Sequence, residues 1–147
     1  MAASGDRNDP YGAFNFLVEI DGVTVAGFSE AGGLSSETDI VEYRNGSEDI
    51  TVRKLPGLKK FTNVTLKRGF TATDDLWLWR KEVMDGQTTR QSGTIVLLNE
   101  AREPAVKWTF REGWPSKWEG PAFSAKSSEV AIESLEIACE GLEMELA

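Results

Sequence analysis

The N-terminal part of the chain alternates apolar and polar residues with the period of a β-strand. The apolar residues of one parity are Phe14, Phe16, Val18 and Ile20. A period of two places every second side chain on the same face of a strand, which favours one buried face. Asp21-Gly22 follows, a pair that is typical of the tight turn of a β-hairpin. The pattern predicts a strand over residues 14–20 and a return strand over residues 23–28.

The next segment combines many charged residues with a few apolar ones. Residues 38–43 predict an extended stretch that ends at Asn45-Gly46, and a charged run leads from there to Leu55-Pro56-Gly57-Leu58. Proline followed by glycine suits the central positions of a type II turn. We therefore predict a long protruding hairpin or loop over about residues 46–60, with two leucines at its tip.

Apolar side chains on a charged projection are costly to leave in water and gain free energy by docking on a partner. The alternative is an ordinary hairpin that folds back on its own domain. On the first interpretation, the contact residues are Ile50, Val52, Leu55, Pro56, Gly57 and Leu58.

One segment has the features of an α-helix, at about residues 73–85. Thr73 is a candidate N-cap and Gly86 a candidate C-terminal stop. The residues that share one helical face are Leu76, Trp79 and Val83. This spacing predicts that the helix packs against a sheet.

The second half of the sequence returns to strands, with a break expected at Trp114-Pro115. Both parities are apolar over residues 95–98, which is typical of a strand covered on both faces, by its own domain or by a neighbouring subunit. Over residues 129–146 the apolar parity changes twice. Bulges or bends beside Ser134 and at Gly141 would keep each apolar set pointing inward.

These elements predict a mainly β fold: a small antiparallel β-barrel or sandwich with one helix at about residues 73–85 and the hairpin or loop at about 46–60. The length of 147 residues is that of one domain. We expect residues 1–147 to form a single domain, with residues 1–10 as an N-terminal arm that is flexible or becomes ordered at an interface.

Composition excludes several kinds of chemistry. The chain has no histidine and one cysteine, so it can form neither an internal disulfide, nor a Cys/His zinc site, nor a histidine-dependent triad. No apolar run approaches the ~20 residues of a membrane helix, so no membrane insertion is expected. The N-terminus lacks the apolar core of a signal peptide, which predicts synthesis in the cytoplasm. A net charge of −8 argues against wrapping nucleic acid.

The remaining candidates for chemistry each have a structural explanation. Acidic residues alternate with apolar ones near the C-terminus, which indicates a solvated strand face more than a catalytic pair; they are Glu133, Glu136, Glu140, Glu143 and Glu145. Cys139 lies in an apolar phase and is interpreted as a small buried hydrophobe.

Four of the five tryptophans divide into two groups. Trp79 and Trp108 fall in phase with core faces, whereas Trp114 and Trp118 are expected in a loop, free to contact a partner or a ligand. A monomeric β-barrel that binds a carbohydrate or another ligand through these two residues is the main alternative function. A carboxylate-dependent glycosidase is a further alternative, for which no acid/base pair can be named.

A series of short motifs resembles the inner-tube family of contractile machines: phage tail tubes, extracellular contractile injection particles and, more remotely, the Hcp rings of type VI secretion. The motifs span nearly the whole chain from Asp9 onward. They are Asp9-Pro10-Tyr11, Phe14-Asn15-Phe16, Ile20-Asp21-Gly22, Phe28-Ser29-Glu30, Gly33-Leu34, Tyr43-Arg44-Asn45-Gly46, Lys54-Leu55-Pro56-Gly57-Leu58, Leu66-Lys67-Arg68-Gly69, Trp114-Pro115 and Glu129-Val130-Ala131-Ile132-Glu133.

The resemblance implies a structural protein, not an enzyme, which needs no cofactor and assembles as hexameric rings stacked into a tube. It also implies that a hairpin, here residues 47–60, reaches the adjacent ring. The implied partners are other copies of the chain, a sheath protein, baseplate or hub proteins, and tape-measure or cap proteins. Cargo, either DNA or an effector protein, would pass through the lumen of a phage tail or tail-like particle. Six copies at −8 each would carry −48 per ring, so we expect an acidic channel wall that does not hold an acidic cargo.

Overall fold

The computed structural model describes residues 9–21, 27–44, 46, 51–126 and 128–147. Within these ranges the elements are β1 (Phe16–Ile20), β2 (Glu30–Gly32), β3 (Ser36–Tyr43), β4 (Arg53–Phe61), β5 (Val64–Gly69), α1 (Asp75–Met84), β6 (Gln91–Leu98), β7 (Pro104–Glu119), β8 (Ile132–Ala138) and β9 (Gly141–Leu146). The prediction of a mainly β fold with one helix is confirmed.

The strands form two antiparallel sheets. Seven strands pair in the order β1-β6-β7-β8-β5-β2, with β9 added beside β7, and β3 pairs with β4 in a separate sheet of two strands. The larger sheet is not closed, because β1 and β2 at its two ends are not paired with each other. The architecture is therefore an open, sandwich-like sheet, and not a closed barrel.

Strand β7 joins the two halves of the larger sheet. Its first part pairs with β6 on one side and β9 on the other, and its last part pairs with β8. The break predicted at Trp114-Pro115 is therefore wrong, because both residues lie within β7 opposite β8. A register shift directly after Pro115 indicates a bulge, a position where a strand tolerates proline.

The C-terminal region contains two strands separated by a short bend. β8 ends before Cys139 and β9 begins at Gly141, so the bend predicted at Gly141 is confirmed. The bulge predicted beside Ser134 is wrong, because β8 pairs with β5 in unbroken register from Ile132 to Ile137. Without that bulge the preceding apolar residues are not turned inward, and Val130 is 75% exposed.

The core lies between the two halves of the sheet and the helix. Its fully buried members come from both halves and from α1: Val18, Ile20, Val64, Leu66, Leu76, Trp79, Ile95, Phe110, Leu135 and Ile137. Apolar burial of this kind supplies most of the favourable free energy of folding. The run predicted to be covered on both faces is covered largely by the chain itself, since Ile95, Val96 and Leu98 are all buried.

Helix α1 begins two residues later than predicted. Its N-cap is Asp74 rather than Thr73, and Asp75 accepts a hydrogen bond from the backbone amide of Leu76 at 3.0 Å. The C-terminal stop is confirmed at Gly86, which has a φ of +92° and donates its amide to the carbonyl of Val83. Leu76 and Trp79 are buried, as the helical face predicted, while Val83 is half-buried.

The N-terminal strand is confirmed, but its pairing differs from the predicted hairpin. β1 pairs with the distant strand β6, from Phe16 opposite Leu97 to Ile20 opposite Gly93. Most of the predicted return strand, residues 23–26, lies outside the described residues. Phe28 precedes the short strand β2 and packs against the core.

The chain leaves the larger sheet at Gly33. β2 pairs with β5, and β3 pairs with β4. The second pair begins in the same register in which the first pair ends, although residues 33–35 and 62–63 between them belong to no strand. At the interruption Gly33 has a φ of +81°, and its carbonyl accepts a hydrogen bond from the Thr62 hydroxyl at 2.8 Å. A Cβ at this position would lie 2.0 Å from the Asn63 carbonyl oxygen. Only glycine fits here without backbone movement.

We expect Gly33→Ala to reduce the free energy of unfolding by about 2–3 kcal/mol, through the strain of a positive φ together with the clash on Asn63. Gly32→Ala is the matched control, because a Cβ at Gly32 would meet nothing within 4 Å. Urea unfolding followed by circular dichroism measures both. Equal stability of the two variants would contradict this account of the junction.

Candidate subunit interface

Strands β3 and β4, which we call the arm, extend the ribbon of β2 and β5 beyond the larger sheet. The arm pairs from Ser36 opposite Phe61 to Tyr43 opposite Arg53. It forms its own two-stranded sheet, with no strand of the larger sheet hydrogen-bonded along its outer edges. An isolated hairpin of two strands is marginally stable at best in water. The arm therefore depends on its junction with the larger sheet, or on contacts outside this chain.

The turn predicted at residues 55–58 is wrong. Leu55, Pro56, Gly57 and Leu58 all lie within β4, where Leu55 pairs with Val41. The connection between the two strands runs instead over residues 44–52, so the protruding hairpin is longer than predicted. Proline is tolerated in β4 because one edge of the strand needs no hydrogen-bond donor. Gly57 lies at a bulge, since β4 has one more residue than β3 between two successive pairs.

The structure places five of the six predicted contact residues on or beside the arm. Val52 directly precedes β4 and is exposed, and residues 55–58 belong to β4. Leu58 lies at the bulge and is 75% exposed. Ile50 lies outside the described residues. The structure thus brings these residues together, along one strand and not at a tip.

The arm carries apolar side chains on both of its faces. Residues directly opposite each other in an antiparallel pair share a face. Val41 lies opposite Leu55 on one face, and Ile40 lies opposite Pro56 on the other. Along both strands, all of whose residues the structure describes, not one side chain is buried. Neither face is covered by the larger sheet or by the helix.

The two strands of the arm differ in charge. The acidic residues of β3 are Glu37, Asp39 and Glu42, and the basic residues of β4 are Arg53, Lys54, Lys59 and Lys60. Lys60 Nζ forms an ion pair with Asp39 Oδ1 at 3.0 Å. The hydrogen bond that Lys60 donates to Asp39 raises the pKa of Lys60. An exposed pair of this kind contributes little to stability. The result is a ribbon with one acidic edge and one basic edge.

A shallow groove of about 350 Å³ lies between the two unpaired ends of the larger sheet. It is lined by residues of β1 and β2 and of the segment before β1, including Tyr11, Phe16 and Ala31. Phe14, in the same segment, is almost fully exposed. Residues 1–8 of the predicted N-terminal arm lie outside the described residues.

A buried ion-pair network lies in β5 and β8, in the larger sheet. Arg68 of β5 is 2% exposed and donates through Nε to Glu133 Oε2 at 3.2 Å and through Nη2 to Asp75 of α1. Burial opposes the charge of Arg68, but its two carboxylate partners outweigh burial and raise the pKa of Arg68. The network fixes the first turn of the helix against the sheet.

Glu133 therefore does not belong to a solvated face, as its alternation with apolar residues suggested. It is buried, and its second oxygen accepts a hydrogen bond from Trp118 Nε1 at 3.1 Å. Because β8 has no bulge beside Ser134, Glu133 shares a face with Leu135 and Ile137, and that face is the buried one. The other four carboxylates, Glu136, Glu140, Glu143 and Glu145, are exposed or half-buried.

Trp114 and Trp118 lie in strand β7 and not in a loop. Trp118 packs against the core and contacts Trp77, with ring centroids 5.0 Å apart. These two rings line a cleft of about 250 Å³ together with Phe70 and Asp74. That volume is below the ~300 Å³ from which ligand pockets usually start.

Three observations concern other kinds of site. Cys139 is half-buried, and burial raises the pKa of its thiol. Among the described residues, no three His, Cys, Asp or Glu side chains are grouped so as to hold a metal ion. In the same part of the chain, the helix is too short and too polar to span a bilayer.

Comparison with known proteins gives one family and a set of related structures. Residues 12–143 match the family of the T4-like virus tail tube protein gp19. A search of curated protein sequences gave no match.

Among solved structures, a chain of the PVC sheath–tube complex, an extracellular contractile injection system in the extended state, is 26% identical. The match has a TM-score of 0.85 and covers 94% of this chain and 93% of that chain. A chain of the anti-feeding prophage cap is 27% identical, with a TM-score of 0.87 and full coverage of both chains. Hcp1 from Flavobacterium johnsoniae shares the fold at 15% identity, with a TM-score of 0.58 over 89% of this chain and 94% of that chain.

We expect Arg68→Met to reduce the free energy of unfolding by about 3–5 kcal/mol, because the substitution leaves the buried Glu133 and the half-buried Asp75 without their cation. Lys67→Met is the matched control: Lys67 is the preceding residue, and its ion pair with Glu30 at 3.5 Å is exposed. We expect the control to lose less than about 1 kcal/mol. Denaturant unfolding at neutral pH compares the two, and equal losses would show that the network is not structurally important.

Proposed function

The chain belongs to the T4-like virus tail tube protein family, and on this premise we propose that it is the subunit of the inner tube of a contractile injection machine or phage tail. The observation that carries the proposal is the uncovered arm, in a chain that matches injection-system tube complexes over its whole length. A lone particle gains nothing from an arm with apolar residues on both faces. A subunit in an assembly of identical copies gains free energy, because its neighbours cover these apolar residues.

In the proposed assembly, six copies form a ring and the rings stack into a tube. Ring closure uses a heterologous interface, in which two different surfaces of each copy meet around an axis. Among the strands that the structure describes, β1, β2 and β9 each have an unpaired edge that is available for such an interface. Pairing or covering those edges also removes the tendency of exposed strands to aggregate.

The arm makes the contacts between subunits in this proposal. Its contributing residues are Val52, Leu55, Pro56, Gly57 and Leu58, and Ile50 is expected to extend the same surface. The two-stranded ribbon projects these residues away from the larger sheet, which lets them reach another ring or a neighbour in the same ring.

The remaining partners follow from the complexes that contain the related chains. Those structures are a sheath–tube complex, a baseplate and a tube-terminating cap. We propose that this chain likewise contacts a sheath, a baseplate and a cap, and that it becomes part of a phage tail or tail-like particle after synthesis in the cytoplasm. The tube would act as a conduit for DNA or an effector protein. Its role is structural, with no catalytic site and no cofactor proposed.

A ligand-binding barrel is less well supported. It required Trp114 and Trp118 in an accessible loop, whereas both belong to β7, and the indole N–H of Trp118 is bonded to the buried Glu133. The nearby cleft is small and lined mainly by Phe70, Trp77 and Trp118.

We expect the purified protein, concentrated to the millimolar range, to form rings with six-fold symmetry and a central channel, and short stacks of these rings. Negative-stain electron microscopy with two-dimensional averaging shows the symmetry, and analytical ultracentrifugation gives the mass of the ring. A single species with the mass of one chain at every concentration would contradict the proposal.

A further inference from the structure

The arm carries exposed apolar residues on both faces, whereas the apolar residues on the two faces of β6 are largely buried. Ile40 and Val41 are neighbours in β3, so their side chains point to opposite faces, and they are 64% and 50% exposed. Each has an apolar residue opposite it in β4: Pro56 faces Ile40, and Leu55 faces Val41. An antiparallel strand with one solvent-exposed face alternates apolar and polar residues, whereas a strand that is covered on both faces has apolar residues on both parities.

Charged residues flank this apolar centre on both strands. In β4, Arg53 and Lys54 precede it, and Lys59 and Lys60 follow it. Apolar area surrounded by a charged rim is typical of a docking surface. Because the pattern is present on both faces, one partner on one face would leave half of the apolar centre in water.

On the basis of the proposed function, we propose that the arm is inserted between two other copies of this chain. Each of these copies covers one face of the arm. Every subunit then touches two further copies through its arm alone. The arm is thus a two-sided link that contacts two neighbouring subunits, and not one neighbour alone.

Charge favours a copy of this chain as the occupant. The arm carries three acidic and four basic residues, a net charge of +1, which leaves −9 for the rest of a chain whose total is −8. Among the edge strands that the structure describes, β1, β2, β3 and β9 carry acidic residues and no basic ones, and β4 is the basic edge. The basic edge of one copy is therefore complementary to the acidic surface of another.

The test substitutes one residue on each face of the arm. Ile40→Thr and Val41→Thr change adjacent residues of one strand and keep a β-branched side chain, so the strand geometry is retained. Leu78→Gln, on the exposed side of α1, is the control outside the arm. Circular dichroism and urea unfolding confirm that each variant is folded; since both arm side chains are exposed, neither measurement should change.

Assembly is measured as the protein concentration at which half of the chains sediment as rings or larger particles, with negative-stain images of the same samples. We expect Ile40→Thr and Val41→Thr each to raise this concentration at least ten-fold, because each places a hydroxyl in a contact that excludes water. Leu78→Gln should assemble at the wild-type concentration.

If either arm variant assembles like wild type, that face is free in the tube and the two-sided link is wrong. If wild-type protein assembles only after a purified sheath or baseplate protein is added, the occupant is a foreign protein, which also overturns the inference. If wild-type protein remains a single chain under all these conditions, the proposed function itself fails, and the wild-type sample alone reveals that result.

Discussion

A ribbon of two β-strands has two faces and no interior, and the behaviour of this chain depends on that constraint. The same ribbon runs through β2 and β5 in the larger sheet and through β3 and β4 in the arm, in one register up to the bulge at Gly57. In the larger sheet, Val64, Leu66 and Arg68 of β5 are buried against the helix side of the fold. In the arm no side chain is buried by the described residues. Local structure is alike in the two halves, and the surroundings decide which half is core and which half stays exposed.

The junction between the two halves is rigid for identifiable reasons. Gly33 adopts a positive φ against the Asn63 carbonyl, and Thr62 is hydrogen-bonded across the ribbon. Farther along β5, the Arg68 network connects that strand with β8 and α1. A buried ion pair adds little net stability by itself, since desolvation offsets the attraction, but removing one partner is costly. Both features hold the body in one arrangement, so that the arm leaves it in a defined direction.

The features of the described residues that support the proposed function are surfaces. The buried Arg68 bonds to Glu133 and to the half-buried Asp75, and Glu133 also bonds to Trp118, in an interior position that holds the helix on the sheet. The exposed part of the chain offers unpaired strand edges, a charged ribbon and uncovered apolar side chains. These are liabilities for a monomer and useful features for a subunit that is surrounded by copies of itself.

The sequence by itself determined several local elements: the strand at residues 14–20, the helix with Leu76 and Trp79 buried, and the bend at Gly141. Its motifs also identified the family. It also identified residues 55–58 as a contact candidate, through apolar residues in a charged segment. It placed the turn wrongly, because Pro-Gly has a local preference for a turn that pairing with β3 overrides. It misassigned Glu133 because it predicted a bulge beside Ser134, and it could not show that Glu133 lies on the buried face with Leu135 and Ile137. Only the tertiary structure decided that, since Arg68 and Trp118 come from distant parts of the chain to make burial of the carboxylate possible.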